Sequence, residues 1–295
     1  MNELKSYYER CAGEAAGTAM DAVWLAGRAS DDLRAAELLG RRTGELHLAL
    51  ATPADAAAFK VEAMTSTDAA SLSAAVREQE RQALAALKAN FPSLGDDVAE
   101  MAAQVLGGRT AMLQRVDRLL SQPDAVYGSL IRIHGDYHLG QVLRVDGDYV
   151  ILDFEGEPAR SLADRRRKQS PLKDVAGMLR SYSYAAFAGL LAFEQTRVHE
   201  SDAPSGSKSG DSAVAEGTGL GACARAWEKG MREAFLRGYW KAVGAGKIVP
   251  EKTEDSLHLL DAYLLEKAMY ELLYELNNRP TWAQIPLAGI LDLAG

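Results

Sequence analysis

The feature that most limits the fold is one short stretch, Val142-Leu143-Arg144-Val145-Asp146-Gly147-Asp148-Tyr149-Val150-Ile151. Two β-rich runs separated by Asp-Gly specify a tight hairpin, because the favoured two-residue turn needs left-handed backbone at both central positions. Most of the remaining chain reads as helix. Ala, Leu, Glu, Arg and Gln dominate it, and apolar residues recur at helical spacing. A lone hairpin is not stable in water unless something packs on it. A hairpin kept inside a helical protein is therefore expected to position something. The predicted fold is mainly α with a small β-hairpin.

Helix is predicted over 30–50, where Ser30-Asp31-Asp32 signals an N-cap, Leu33 to Leu50 supply an apolar face and Thr52-Pro53 stops the element. Two further helices, 68–90 and 96–121, are joined by a short turn at Phe91-Pro92, end at Pro123, and are expected to form an antiparallel hairpin. Lys60-Val61-Glu62 sits between helical segments and is expected outside any sheet. Leu130-Ile131-Arg132-Ile133 alternates like a strand. Helix resumes after 172, and 197–222, rich in Ser, Gly and Asp, reads as a flexible surface insertion. Helices over 223–244 and 251–278 and a Pro-containing tail close the chain. There is no internal repeat.

Composition narrows the function. The 295 residues carry 33 Lys+Arg against 41 Asp+Glu, a net charge of −8, with 47% apolar and 25% charged residues. That is globular composition, not a disordered chain, a collagen or a disulfide scaffold. The acidic balance argues against nucleic acid or anionic lipid held by bulk charge. Cys11 and Cys223 read as two thiols in a reducing compartment. The first residues lack an apolar signal segment, and no run approaches the ~20 apolar residues of a membrane span. A soluble, cytoplasmic protein with no nucleic-acid or membrane partner is expected.

The chemistry gathers at the ends of the hairpin, in His134-Gly135-Asp136-Tyr137-His138-Leu139-Gly140-Gln141 and Asp153-Phe154-Glu155-Gly156-Glu157-Pro158. If Asp146-Gly147 is the loop, Gly140 faces Asp153 and Gln141 is its diagonal neighbour. Facing Cα atoms are ~4.5–5.5 Å apart. A carboxylate and an amide oxygen can then converge on one hard cation, which suits Mg²⁺ carried by nucleotide phosphates. Asp136, on the entering loop, is too far to be an ordinary ligand. It is placed to orient an attacking hydroxyl and accept its proton.

This spacing resembles the catalytic loop of the protein-kinase-like phosphotransferases, with an Asp, a metal-binding amide and a D-F-G Asp after a short hairpin. His134-Gly135-Asp136 resembles the aminoglycoside-phosphotransferase branch, with Gln141 where Asn is usual. The unbroken HGDYHLGQVL and DFEGEP segments, with Lys168-Gln169-Ser170-Pro171-Leu172-Lys173-Asp174-Val175-Ala176-Gly177-Met178-Leu179-Arg180-Ser181, are similar to the maltokinases. That resemblance implies ATP-dependent phosphorylation of maltose to maltose 1-phosphate for α-glucan synthesis, with a trehalose synthase as partner or fusion. It implies Asp136 as catalytic base, Gln141 and Asp153 as Mg²⁺ ligands, and maltose contacts from Lys267, Tyr270 and Tyr274. The i, i+3, i+7 spacing of those three puts them on one helical face.

His134 is expected to hold the loop. His138 reads as buried or supporting, and Glu155 and Glu157 as supporting acids or loop charges that the sequence does not separate. The 165–168 basic run is either a solvated face or a phosphate contact, and Gly217-Thr218-Gly219-Leu220-Gly221 is discounted as a phosphate loop. The resemblance also calls for a β lobe carrying a phosphate cover and a Lys. Neither is visible, so the chain 1–295 is expected to be the C-terminal lobe alone, the N-terminal β lobe absent, and weak or inactive by itself. Two other readings remain open. One is a small-molecule kinase of the aminoglycoside or choline type, and the other is a non-catalytic maltose-binding remnant.

Overall fold

A computed structural model describes residues 2–13, 20–52, 57–120, 127–158, 160–200, 219–244 and 248–294. Nine α-helices lie within them: α1 (Asn2–Cys11), α2 (Ala22–Leu50), α3 (Ser66–Asn90), α4 (Asp96–Leu120), α5 (Leu162–Arg165), α6 (Leu172–Glu200), α7 (Gly219–Val243), α8 (Thr253–Asn278) and α9 (Gln284–Ala294). Four short strands join them: β1 (Glu62–Ala63), β2 (Ser129–Leu130), β3 (Val142–Val145) and β4 (Asp148–Ile151).

The hairpin has the predicted register. Val142 pairs with Ile151 and Val145 with Asp148, and Asp146 (φ 50) and Gly147 (φ 81) supply the left-handed turn. Packing explains its survival. Arg42 of α2 donates from Nε and Nη2 to the two oxygens of Asp148, at 2.7 and 2.6 Å, and clasps the hairpin to the helical body.

α6 runs through the middle and packs on α1, α7, α8 and α9. α2 lies along α7 in unusually close approach. A Cβ on Gly40 would fall 1.9 Å from the Phe235 carbonyl, and one on Gly238 would fall 1.9 Å from that of Glu37, so neither position admits a side chain. α3 and α4 do form an antiparallel pair: Ser73 and Arg77 meet Asp117, and Glu80 meets Arg109. Thr65 and Asp68 build a reciprocal capping box at the start of α3. α3 also packs along α8, and this pair frames the cleft described below.

Four expectations are corrected. Glu62 does belong to a sheet: β1 pairs antiparallel with β2, Glu62 opposite Leu130, because tertiary contact brings together segments too short to declare themselves. The first helical segment begins at Ala22, capped by Asp21, and passes through a kink at Ala29 (φ −136, ψ 28). The tail contains a helix, α9, in which Leu287 and Ile290 are buried. α6 continues to Glu200 and α7 starts at Gly219, so the ends of the 197–222 segment are helical. Its remainder, 201–218, lies outside the described residues, as does Pro123. Cys11 and Cys223 are buried thiols. No helix among the described residues is long and apolar enough to cross a membrane.

Candidate active site

The loop from His134 to Leu139 is held from three sides. Asp174, 2% exposed at the start of α6, accepts the backbone N–H of His134 on Oδ2 (2.8 Å) and that of Gly135 on Oδ1 (2.9 Å). His47 of α2, fully buried, places Nε2 3.2 Å from Asp174 Oδ2 and Nδ1 3.1 Å from the Tyr239 hydroxyl. One turn on in α6, Gly177 lets the backbone carbonyl of Tyr137 approach; a Cβ there would lie 2.6 Å from that oxygen. One further turn on, the Ser181 hydroxyl accepts the Leu139 N–H at 2.9 Å. Asp174, Gly177 and Ser181 fall on one face of α6 by their i, i+3, i+7 spacing.

Other side chains lock the loop to the hairpin. The His134 ring, 1% exposed, lies 2.6 Å from the Leu152 carbonyl through Nε2, while its Nδ1 accepts the Asp136 N–H at 3.3 Å. It is flanked by Tyr137 and Phe154, with ring centroids 5.2 and 5.1 Å away. The Tyr137 hydroxyl is 2.8 Å from that of Thr43 on α2. Gly135 takes φ +85, a conformation costly for other residues.

At the base of the hairpin, Gln141 Nε2 is 3.1 Å from Asp153 Oδ2. The predicted meeting of amide and carboxylate therefore occurs. Asp153 sits at φ 57, an uncommon backbone for a residue with a side chain. Turning the Gln141 amide about its last bond, as a cation replaces this hydrogen bond, would present its oxygen beside the carboxylate. An amide oxygen and a carboxylate, both reached by solvent, suit a hard divalent cation whose other ligands come from phosphate and water. Among the described residues no group of three or more His, Cys, Asp or Glu is placed to hold a metal. His138 lies within electrostatic reach of both Asp136 and Asp153. Burial, helped by Lys267, lowers its pKa, and its Nδ1 accepts the Gly140 N–H at 3.0 Å.

Asp136 opens into a cleft of about 60 Å³ whose walls include His138, Glu157, Arg160, Lys267 and Tyr270. Two of the three predicted sugar contacts are thus brought to Asp136, and the Lys267 ammonium stands 5.0 Å from the centre of the Tyr270 ring. Tyr274 is one turn further along α8, 47% exposed, with the Arg279 guanidinium over its ring, and does not line the cleft. The structure separates the two glutamates. Glu155 is exposed. Glu157 reaches into the cleft, paired to Arg160 at 2.6 Å. Burial alone would raise the Glu157 carboxyl, but hydrogen bonds from Arg160 and Tyr270 hold it below the ordinary range. Burial and that same bond push the Tyr270 hydroxyl up to about 12.

Sequence reasoning missed Asp174 and His47 as supports of the loop, and Arg160, Lys173 and Glu266 as cleft walls. Asp174 stood in a quoted segment, but its partners lie some 40 residues away, and nothing local marks them. The basic run is shared out. Lys168 pairs with Glu62, and Arg167 is 3.9 Å from Asp164.

A helical body thus carries an amide–acid pair at the base of its hairpin and a loop carboxylate, Asp136, that opens into a cleft. Residues 6–199 match the APH phosphotransferase enzyme family, and the chain belongs to that family. It is 29% identical over 267 residues to a glucosamine kinase of Streptacidiphilus jiangxiensis, covering 86% of this chain and 48% of that protein. It is 30% identical over 143 residues to a glucosamine kinase of Mycolicibacterium smegmatis (strain ATCC 700084 / mc(2)155), covering 37% and 36%. The solved structure of a glucosamine kinase in complex with glucosamine, ADP and inorganic phosphate superposes with a TM-score of 0.65 at 23% identity, covering 98% of this chain and 59% of that one. The first and third of these likenesses run nearly the length of this chain, yet it spans only about half the length of the S. jiangxiensis kinase.

Proposed function

We propose that this chain transfers the γ-phosphoryl group of ATP to a hydroxyl of a sugar. The observation that supports this most directly is the opening of Asp136 into a cleft walled by Tyr270, Lys267, Glu157 and His138, with His138 in electrostatic reach of Asp153, the partner of Gln141. In this reading the acceptor ring rests against Tyr270, with Lys267 and Glu157 as its donor and acceptor. Asp136 orients the attacking hydroxyl and takes its proton as the new P–O bond forms and the bond to ADP breaks. His134 and Asp174 keep Asp136 in place, and His138 caps the turn leading to Gln141. Gln141 and Asp153 would hold Mg²⁺. When bound, it neutralises charge on the phosphates. Tyr274 and Glu155 lie outside the cleft and take no part in it.

The related proteins carry the name glucosamine kinase, while the DFEGEP and HLGQVL segments resemble maltokinases. Both are sugar kinases, and glucosamine and maltose are the two acceptors to compare. A trehalose synthase partner rests on the second resemblance alone. This chain spans about half the length of the S. jiangxiensis kinase, so sugar binding is the first readout. Calorimetry should show one of the two sugars binding. Asp136→Asn should leave that affinity within about twofold and reduce ATP-dependent transfer by about 10²–10⁴. A chain that binds neither sugar, or an Asp136→Asn protein that transfers as fast as the parent, would overturn the proposal.

A further inference from the structure

The His138 ring is held more closely than a turn needs. Its Nδ1 accepts the Gly140 N–H at 3.0 Å. A Cβ on Gly140 would fall 2.7 Å from the ring Cε1 and 2.9 Å from Nδ1, so the glycine is what lets this edge of the ring lie against the backbone. The His138 carbonyl accepts the Gln141 N–H at 2.9 Å. The ring is therefore fixed relative to Gln141, whose amide meets Asp153.

That hydrogen bond also fixes the tautomer. Nδ1 receives an N–H, so it carries no hydrogen of its own; an imidazolium or an Nδ1–H ring would set two hydrogens against each other. The ring is neutral, with its proton on Nε2. Among the described residues no group accepts from Nε2. The Nδ1–Cε1 edge is taken by Gly140, and the remaining edge is left for the cleft that His138 lines together with Asp136 and Lys267. The same ring is within electrostatic reach of Asp153. It is thus near both the carboxylate placed to meet the acceptor hydroxyl and the carboxylate placed to meet the nucleotide's metal. A phosphoryl group in transfer crosses from one to the other.

We infer that His138 is a further catalytic residue, whose Nε2–H donates to an oxygen of the phosphoryl group during transfer. This rests on the sugar-phosphotransfer reading and adds a residue to it. As the bond from the acceptor oxygen to phosphorus forms and the bond to ADP breaks, Asp136 takes the hydroxyl proton. His138 keeps its own proton and is neutral before and after the step. A fixed N–H aimed at the phosphoryl oxygens stabilises their charge without having to reorganise as the reaction proceeds.

Two variants of the full chain divide the ring's functions. In His138→Asn the amide oxygen replaces Nδ1 as acceptor for the Gly140 N–H, as short polar side chains do in turns, and nothing replaces Nε2–H. In His138→Gln the longer side chain carries an amide N–H toward the Nε2 position and gives up the cap. With γ-labelled ATP and glucosamine or maltose at saturation, His138→Asn should lower kcat about 10²-fold. Its sugar affinity, read by calorimetry, should stay within about twofold of the parent. His138→Gln should transfer at least about tenfold faster than His138→Asn. Nitrogen-15 NMR of the parent should find the His138 ring proton on Nε2. A His138→Asn protein as fast as the parent, a loss that lies in sugar affinity rather than kcat, a His138→Gln protein no faster than His138→Asn, or a ring proton on Nδ1 overturns the inference and leaves the sugar-kinase reading standing. A parent that forms no labelled sugar phosphate from either sugar removes both.

Discussion

Asp174 shows how much can depend on one buried carboxylate. Its two oxygens accept backbone N–H groups of His134 and Gly135, and one of them also meets His47. In Asp174→Asn one oxygen becomes an amide nitrogen that faces another donor, leaving a buried N–H without an acceptor. The expected cost is about 2–3 kcal/mol. Urea unfolding measures it, and an unchanged midpoint would mean the loop is held by its other contacts alone. At this scale the sequence was legible where chemistry repeats locally. The meeting of Gln141 with Asp153 was legible because spacing and a turn signal place it. Asp174, His47 and Arg160 were not, because each acts on residues that only folding brings near.

At the scale of elements, the segment after the hairpin is fastened to α8 by the Glu157, Arg160 and Tyr270 group. The Glu157 carboxyl is held below its ordinary range, so it binds protons less readily folded than unfolded. Its contribution to stability is complete above the ordinary glutamate pKa, ~4.3, and is lost as pH falls through the lowered folded value. Glu157→Gln should therefore be less stable than the parent at pH 6–7, and the difference should shrink below about pH 4. Denaturation at several pH values checks this, and a difference independent of pH would show that charge is not what fastens the segment. Helix lengths were legible from apolar period and from stops such as Phe91-Pro92. β1 and β2 were not, since two-residue strands exist only by pairing with each other.

Across the whole molecule the helices are joined by a buried ionic centre. Arg180 of α6, 3% exposed, donates from Nε to Glu271 of α8 at 2.8 Å. Its guanidinium occupies space that Gly289 of α9 leaves open. Burial would lower the pKa of Arg180, but Glu271 and Glu228 raise it, and it stays charged. Arg180→Met leaves the buried Glu271 without its cation and should cost about 3–5 kcal/mol. That lowers Tm by roughly 10 °C for a chain of this size. Breaking the exposed Arg81–Glu78 pair, whose side chains are 64% and 52% exposed, should leave Tm essentially unchanged. Equal effects in thermal melts would deny the ionic centre its role.

The amino-acid sequence by itself determined the helical character, the hairpin with its register, and the meeting of Gln141 with Asp153. All of these follow from backbone preference and spacing over a few residues. Only the tertiary structure decided that α6 grips the loop through Asp174, that Glu157 rather than Glu155 turns into the cleft, and that Tyr274 stays outside it. Those outcomes depend on how helices far apart in the chain pack against one another. No local preference encodes the distance between two side chains that meet only after that packing is complete.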